Sequence, residues 1–314
     1  MEIKKIQTEN SQENNRGHRP ETFDDFIGQE QIKGLIKTAI KSGKLRQGNM
    51  GHFLFSWPSW FGKTTMAQLI AKQSQVSIKT VTGYAITKPA EIVSILNNLE
   101  EGDILFIDEI HRLRPNIEEV LYIAMEDFVI DMVMPEWGNV RIPINPFTLI
   151  GATTKSEELS QPMKNRFVYH CHFMEYTPQE KERLIEKYLR HYGVLPQSKE
   201  LIQHIAEKVG SVPREIHNLC IKIRDYVITN SVNNILTEDI MKDFLHHAQI
   251  EEGGMTPLHA KYLEILEKAD RPLGVKAIAV QLGINEKAVE EDVEPLLLKL
   301  WKIEKSAAGR ILIG

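Results

Sequence analysis

Cysteine and surplus positive charge are what this chain has least of. Its two cysteines, Cys171 and Cys220, stand far apart and match no metal-ligand spacing. That excludes a disulfide framework and a zinc site, and predicts two buried thiols in a reducing compartment. Acidic residues outnumber basic ones, 43 to 38, for a formal net charge of -5. Any nucleic-acid contact must therefore come from a local patch, because global charge supplies none. No apolar run approaches the length of a membrane span, and the opening stretch MEIKKIQTENSQENNRGHR is polar, with no apolar core for a signal peptide. The expectation is a cytoplasmic protein with no membrane partner. Apolar content, by contrast, is ample: 42% of 314 residues, enough for two or three domains with cores of their own.

Residues 1–18 are rich in Gln, Asn and Glu without apolar periodicity and read as a tail. Ile32, Leu35, Ile36 and Ala39 recur at helical spacing between Gln29 and Ala39, His52 to Phe55 is a short apolar run ending at Ser56, and Thr64 to Gln73 is again helical. Asp103 to Ile107 and Phe147 to Ile150 are continuous apolar runs of the kind buried on both faces of a sheet. Strands alternating with helices predict an α/β domain with a parallel sheet covered on both faces. Between Met125 and Pro146, two β-rich arms flank a turn containing Gly138 and Asn139, which predicts a projecting hairpin. From Thr177 to about Ile250 strand signals vanish and amphipathic helices dominate, including Glu180–His191 and Ile216–Val227. A glycine pair in EEGGMT marks a hinge, and the remaining segment ends in two short arms around Gly309. The expected division is a tail over 1–18, a large domain over 19–176, a helical domain over 177–250 and a small domain over 251–314.

Two elements carry chemistry. In ILFIDEIH, four apolar residues deliver Asp108 and Glu109 to the end of a buried strand, the carboxyl edge where ligands of open α/β sheets bind. In a nucleotide hydrolase the first carboxylate would hold Mg²⁺ and the second would orient and deprotonate the attacking water. Upstream, WPSWFGKTT lies between a strand and a helix and places Gly62, Lys63 and Thr64, followed by Thr65, as the GK[ST] end of a phosphate-binding loop. Lys63 would reach the β and γ phosphates, Thr64 would ligate Mg²⁺, and the helix start would add amides and a positive dipole end. The first glycine of that pattern is here Trp57. A blocked loop in a subunit that binds DNA or a partner without hydrolysis is the alternative reading of the same residues. Thr153 and Thr154 follow a strand and offer a hydroxyl to a γ phosphate or to the attacking water. Arg166, in PMKNRF, suits an arginine finger on a neighbour's nucleotide, and Arg214, in GSVPREI, suits a contact from the helical domain back to the γ phosphate.

Taken in order, RPETFDDFIGQE, GKTT, LEEGDILFIDEIHRL, AMEDFVIDMV, PFTLIGATT, NRF and VPRE resemble the RuvB family of Holliday-junction branch-migration proteins, over roughly Arg19 to Arg310. The resemblance implies an AAA+ P-loop ATPase domain, an α-helical lid and a C-terminal winged-helix domain, assembled as a homo-hexamer that drives four-way junctions and double-stranded DNA with ATP and Mg²⁺. It implies as partners a RuvA-like junction-binding protein, docked on the hairpin at about 129–144, and a RuvC-like resolvase. Position by position it assigns phosphate binding to Gly62, Lys63, Thr64 and Thr65, metal to Thr64 and Asp108, and catalysis to Lys63, Asp108 and Glu109. The γ-phosphate sensor falls on Thr154 or its neighbour Thr153, the finger on Arg166, and a second sensor on Arg214. Base contacts fall on Arg19, Phe26, Ile27 and Tyr176. Trp60 stands where the family places a glycine, Lys164 where it usually has arginine, and Val168 where it usually has glycine.

In the last domain, the segment GVKAIAVQLGINEKAVEEDVEPLLLKLWKIE has a helix–turn–helix pattern with Gly283 in the turn. Its second helix carries Glu290, Glu291, Asp292 and Glu294, which would repel phosphate in a groove. Lys299, Lys302, Lys305 and Arg310 cluster instead toward the wing, facing only Glu304. The expectation is sequence-independent contact with the DNA backbone through Lys302, Lys305 and Arg310.

Overall fold

The computed structural model describes residues 20–46, 48–56, 61–134, 138–231, 233–250, 252–269 and 271–313. The chain divides into two compact units, one ending at Glu175 and the other opening at Tyr176.

The first unit begins with helix α1 (Glu30–Arg46), which buries Ile32, Ile36, Ala39 and Ile40. Leu35, expected on that face, is 39% exposed. Lys33 takes an inner position, its Nζ donating to the Phe26 carbonyl at 2.6 Å and to Glu30 at 2.7 Å. Next come β1 (Phe53–Ser56), α2 (Lys63–Ser74), β2 (Ile78–Thr82), α3 (Pro89–Asn97), β3 (Ile104–Asp108) and α4 (Pro115–Asp127). The hairpin is β4 (Val129–Met134) with β5 (Gly138–Pro143), and the unit ends with β6 (Thr148–Thr153), α5 (Gln161–Asn165) and β7 (Tyr169–His172). Five strands form one parallel sheet in the order β2-β3-β6-β1-β7. The apolar runs in β1, β3 and β6 take the three central places, where both faces are covered, and are buried. The edge strands β2 and β7 were not foreseen, because IKTVT and YHCH mix exposed polar with part-buried residues. Parallel register aligns Ser56 with Thr153 and with His172, and Thr82 with Asp108, so these strand ends share one edge.

The β4–β5 hairpin is a separate two-stranded sheet. Gly138 and Asn139, expected in its turn, instead open β5, paired with Met134 and Val133. The connection is 135–137, outside the described residues.

The second unit holds α6 (Pro178–His191), α7 (Lys199–Glu207), α8 (Pro213–Asn230) and α9 (Glu238–Ala248), with two-residue strands β8 (Leu195–Pro196) and β9 (Ile235–Leu236) pairing in parallel. Thr177 starts α6 with a capping box to Glu180. A turn at Glu252–Gly254, with Gly253 at φ 72 and Gly254 at φ 84, leads on to α10 (Pro257–Glu267) and α11 (Val275–Leu282). The chain closes with α12 (Glu286–Ala288), a π turn (Val289–Val293), α13 (Glu294–Lys299), β10 (Ile303–Ser306) and β11 (Gly309–Leu312). Gly309 opens β11, where a Cβ would lie 2.5 Å from the Leu273 carbonyl oxygen. Pro295 explains the π turn: it lacks an N–H and its ring clashes with the carbonyl four residues back, so one extra residue is looped in. Both cysteines are buried and free, and burial pushes their thiols up to about 12. No helix among the described residues is long and apolar enough to cross a membrane.

Candidate nucleotide site

β1 ends at Ser56 and α2 starts at Lys63. Trp57 and Trp60 lie outside the described residues. Gly62 caps α2 at φ 90, ψ 15, with no side-chain hydrogen bond to the helix start. The first-turn amides of α2 are thus turned outward at the positive dipole end, an arrangement that favours an anion. Glycine is required here twice over, by its left-handed φ and because a Cβ would lie 2.9 Å from Cζ of Phe26. Phe26 and Ile27 are buried. Gln29 holds Met174 with two hydrogen bonds, Nε2 donating to its carbonyl at 2.6 Å and Oε1 accepting from its N–H at 2.9 Å. The segment 26–29 therefore touches both the helix start and the last residues of the first unit.

Lys63 is buried, and its Nζ donates to the Thr153 carbonyl at 3.2 Å. Burial lowers its pKa, while Glu109 and Asp108 oppose that shift. The same burial raises the Asp108 pKa, and the Glu109 charge adds to it. A buried cation, two crowded carboxylates and a helix N-terminus at one sheet edge fit a phosphate group accompanied by a divalent cation. Thr64, exposed in the first turn of α2, and Asp108 are the residues that can hold the metal.

Glu109 adopts a left-handed conformation, φ 50. Thr154 Oγ1 donates to Glu109 Oε2 at 3.2 Å. Thr153 is buried; its hydroxyl accepts from the Lys155 N–H at 2.9 Å and meets His111 Nδ1 at 2.9 Å. Of the two threonines, Thr154 is the one directed at the carboxylate pair. His111 was not singled out in the sequence, although it stands two residues beyond Glu109 in the same strand-end motif.

Arg166 lies at the end of α5, its guanidinium 4.7 Å from the ring centre of Tyr122, with Nη2 donating to Glu126 at 3.0 Å and Nη1 to the Pro162 carbonyl at 2.9 Å. Tyr122 donates to buried Glu118 at 2.7 Å, and Ser160, the α5 cap, donates to the same carboxylate at 2.6 Å. Arg166 is thus folded back on α4. Tyr176 opens the second unit and is buried; Arg214 is exposed in the first turn of α8. Arg19 lies outside the described residues.

At the wing, Lys305 and Arg310 meet acidic residues from outside their own stretch. The π turn adds one residue, rotating the helix beyond it by roughly 100°, and Glu294, one of the four acidic residues read on this helix, is fully buried. Arg310 Nε and Lys305 Nζ reach its carboxylate at 2.8 and 2.6 Å, and Tyr262 donates to it at 3.0 Å. Arg310 also pairs with Glu290 at 2.8 Å. Burial pushes the Glu294 carboxyl up, but the bonds from Arg310, Lys305 and Tyr262 outweigh it and hold its pKa below the ordinary value. Lys299 donates to Ser211 at 3.1 Å, and Lys302 is exposed.

Two family models match this chain: the Holliday junction DNA helicase RuvB P-loop domain over residues 18–173, and the RuvB C-terminal winged helix domain over residues 252–313. The Holliday junction branch migration complex subunit RuvB of Campylobacter fetus subsp. fetus is 40% identical, the alignment covering 99% of this chain and 91% of the relative. That of Campylobacter lari is 38% identical, over 99% and 93%. A solved structure, the Thermotoga maritima RuvB Holliday junction branch migration motor, matches with a TM-score of 0.79 at 33% identity, over 94% of this chain and 95% of that one. Likeness at this level over nearly the whole length, with the strand-end carboxylates and the lysine at the helix start in place, makes this chain a member of the RuvB family.

Proposed function

We propose that the chain is an ATP-driven motor subunit that promotes branch migration of Holliday junctions in homologous recombination and repair. The observation that carries this reading is the convergence of Lys63, Asp108, Glu109 and Thr154 on the carboxyl edge of the sheet, with Thr154 bonded to Glu109 at 3.2 Å. ATP with Mg²⁺ supplies the phosphoryl group and the charge compensation when bound. Gly62, Lys63, Thr64 and Thr65 bind phosphate at the start of α2, with Thr64 and Asp108 holding the metal. Glu109 accepts the proton of the attacking water, and Thr154 orients Glu109. Arg166 serves the site of a neighbouring subunit and Arg214 the site of its own chain, while Arg19, Phe26, Ile27 and Tyr176 flank the base.

The large domain runs over 19–176, after a tail at 1–18, with the lid over 177–250 and the winged helix over 251–314. Subunits form a homo-hexamer. The hairpin at about 129–144 docks a RuvA-like junction-binding protein, and a RuvC-like resolvase acts on the same junction. Lys302, with Lys305 when released from Glu294, contacts the DNA backbone of the four-way junction; Arg310 holds the wing and reaches DNA only at its outer side. The chain works where the chromosome lies, in the cytoplasm.

The test is ATP hydrolysis by the purified chain with Mg²⁺, with and without four-way junction DNA and a RuvA-type partner. The natural chain hydrolyses ATP, DNA stimulates it, and Lys63→Ala abolishes it. Hydrolysis seen only after Trp57→Gly with Trp60→Gly overturns the motor reading.

A further inference from the structure

The backbone of Glu109 is fixed from several sides. Its carbonyl accepts from the Arg112 N–H at 2.9 Å, and its own N–H donates to Asp108 Oδ1 at 3.1 Å. Its left-handed φ of 50 is uncommon for a residue with a side chain. What is left to set is the direction of the carboxylate.

Two side chains meet it, both at the same oxygen. Thr154 donates to Oε2 at 3.2 Å, and His111 Nδ1 lies 3.3 Å from Oε2. The imidazole is buried, with Nδ1 also 2.9 Å from Thr153 Oγ1 and Nε2 3.9 Å from Glu158 Oε2. The hydrogen bond of Nδ1 is the one with Thr153 Oγ1, and Glu109 Oε2 stands beside the same nitrogen at contact distance. Thr153 in turn is held through its carbonyl by Lys63 Nζ at 3.2 Å and through its hydroxyl by the Lys155 N–H at 2.9 Å.

We propose that His111 is a positioning residue for Glu109: its imidazole, anchored through Nδ1 to Thr153 and in contact with Oε2, joins the Thr154 hydroxyl in holding Oε2 at the end of β6 and leaves Oε1 as the oxygen presented to water. The assignment rests on Glu109 being the proton acceptor of the hydrolysis site. Through Thr153, the same arrangement ties the place of Glu109 to that of Lys63.

The experiment compares ATP turnover, KM, affinity for a fluorescent ATP analogue and thermal midpoint for the natural full chain, Glu109→Gln, His111→Phe, His111→Gln and His111→Asn. The Asn amide can stand where Nδ1 stands; the Gln amide reaches past it. His111→Phe and His111→Gln lower kcat roughly 10- to 100-fold, the range seen when an orienting partner is removed, with KM and analogue affinity unchanged, and His111→Asn restores most of it. His111→Gln carries the comparison if the Phe variant does not fold. Natural kcat in the Gln variant overturns the proposal, as does loss in the Asn variant equal to that in the Gln variant. If the natural chain and Glu109→Gln turn over alike, the reading of Glu109 itself fails; if only Glu109→Gln is impaired, His111 alone is misassigned.

Discussion

His52 lies buried at the amino edge of the sheet, its Nδ1 accepting from the Leu149 N–H at 2.9 Å and its Nε2–H donating to the Met125 carbonyl at 3.0 Å. One imidazole thereby joins the start of β1 to β6 and α4, and both bonds require the neutral ring. Burial lowers its pKa, partly opposed by the Met125 carbonyl. The native state therefore binds fewer protons than the unfolded chain, whose histidine titrates near 6.5. Stability is complete above about that pH and falls as the solution is acidified toward the folded value, by at most about 1.4 kcal/mol per pH unit for one proton. His111 and His259, also lowered chiefly by burial, act in the same direction. Urea midpoints measured from pH 8 to pH 5 will fall, and more steeply in the natural chain than in His52→Asn. An equal slope in both would remove His52 from the acid response. None of this was legible in the sequence, where HFLFS reads as a strand whatever its first residue bonds to. The placing of Lys63, Asp108 and Glu109 at one sheet edge was legible, because a GK[ST] end and a strand-terminal acidic pair owe their positions to local chain order.

Among elements, the runs that became β3 and β6 could be read directly, since strands buried on both faces must be apolar throughout. β2 and β7 could not, because an edge strand is specified by its neighbour more than by its own residues. The helix of the winged domain shows a different limit. Glu294 reads in the sequence as one of four acidic residues on one helix, but Pro295 follows a π turn, the phase slips by one residue, and that carboxylate lies in the core. Glu294 then becomes the group that ties the wing to the helices, through Arg310, Lys305 and Tyr262. Glu294→Ala leaves Arg310 with Glu290 as its one remaining acidic partner and removes the acceptor of Tyr262, which destabilises this region by about 3 kcal/mol, the lower end for breaking a buried pair from one side. Hydrogen exchange at α10 and β11 reads this locally: faster exchange there with α6 unchanged is the expected result, and natural rates at β11 would show that the network does not hold the wing.

For the whole molecule, the order of motifs along the chain was more informative than any one of them, which is why the family could be read although the strand edges and the wing ion pairs could not. Arg166 bears on assembly. In this chain it is folded onto Tyr122 and Glu126. If it completes a neighbour's site, Lys63→Ala and Arg166→Ala chains, each inactive alone, regain activity when mixed. In a ring built of head-to-tail contacts and assembled at random from equal parts, about one interface in four carries both intact residues. ATPase activity near a quarter of natural is expected in the mixture, and none if Arg166 serves only its own chain.

Gly83 packs against the backbone of Glu109, and a Cβ placed on it would lie 2.4 Å from the Glu109 carbonyl oxygen. A side chain at position 83 would press on the residue that takes the left-handed turn, φ 50. Even the smallest change there, glycine to alanine, must displace the Glu109 backbone. Position 83 thus constrains the place of Glu109 although it has no side chain with which to do chemistry.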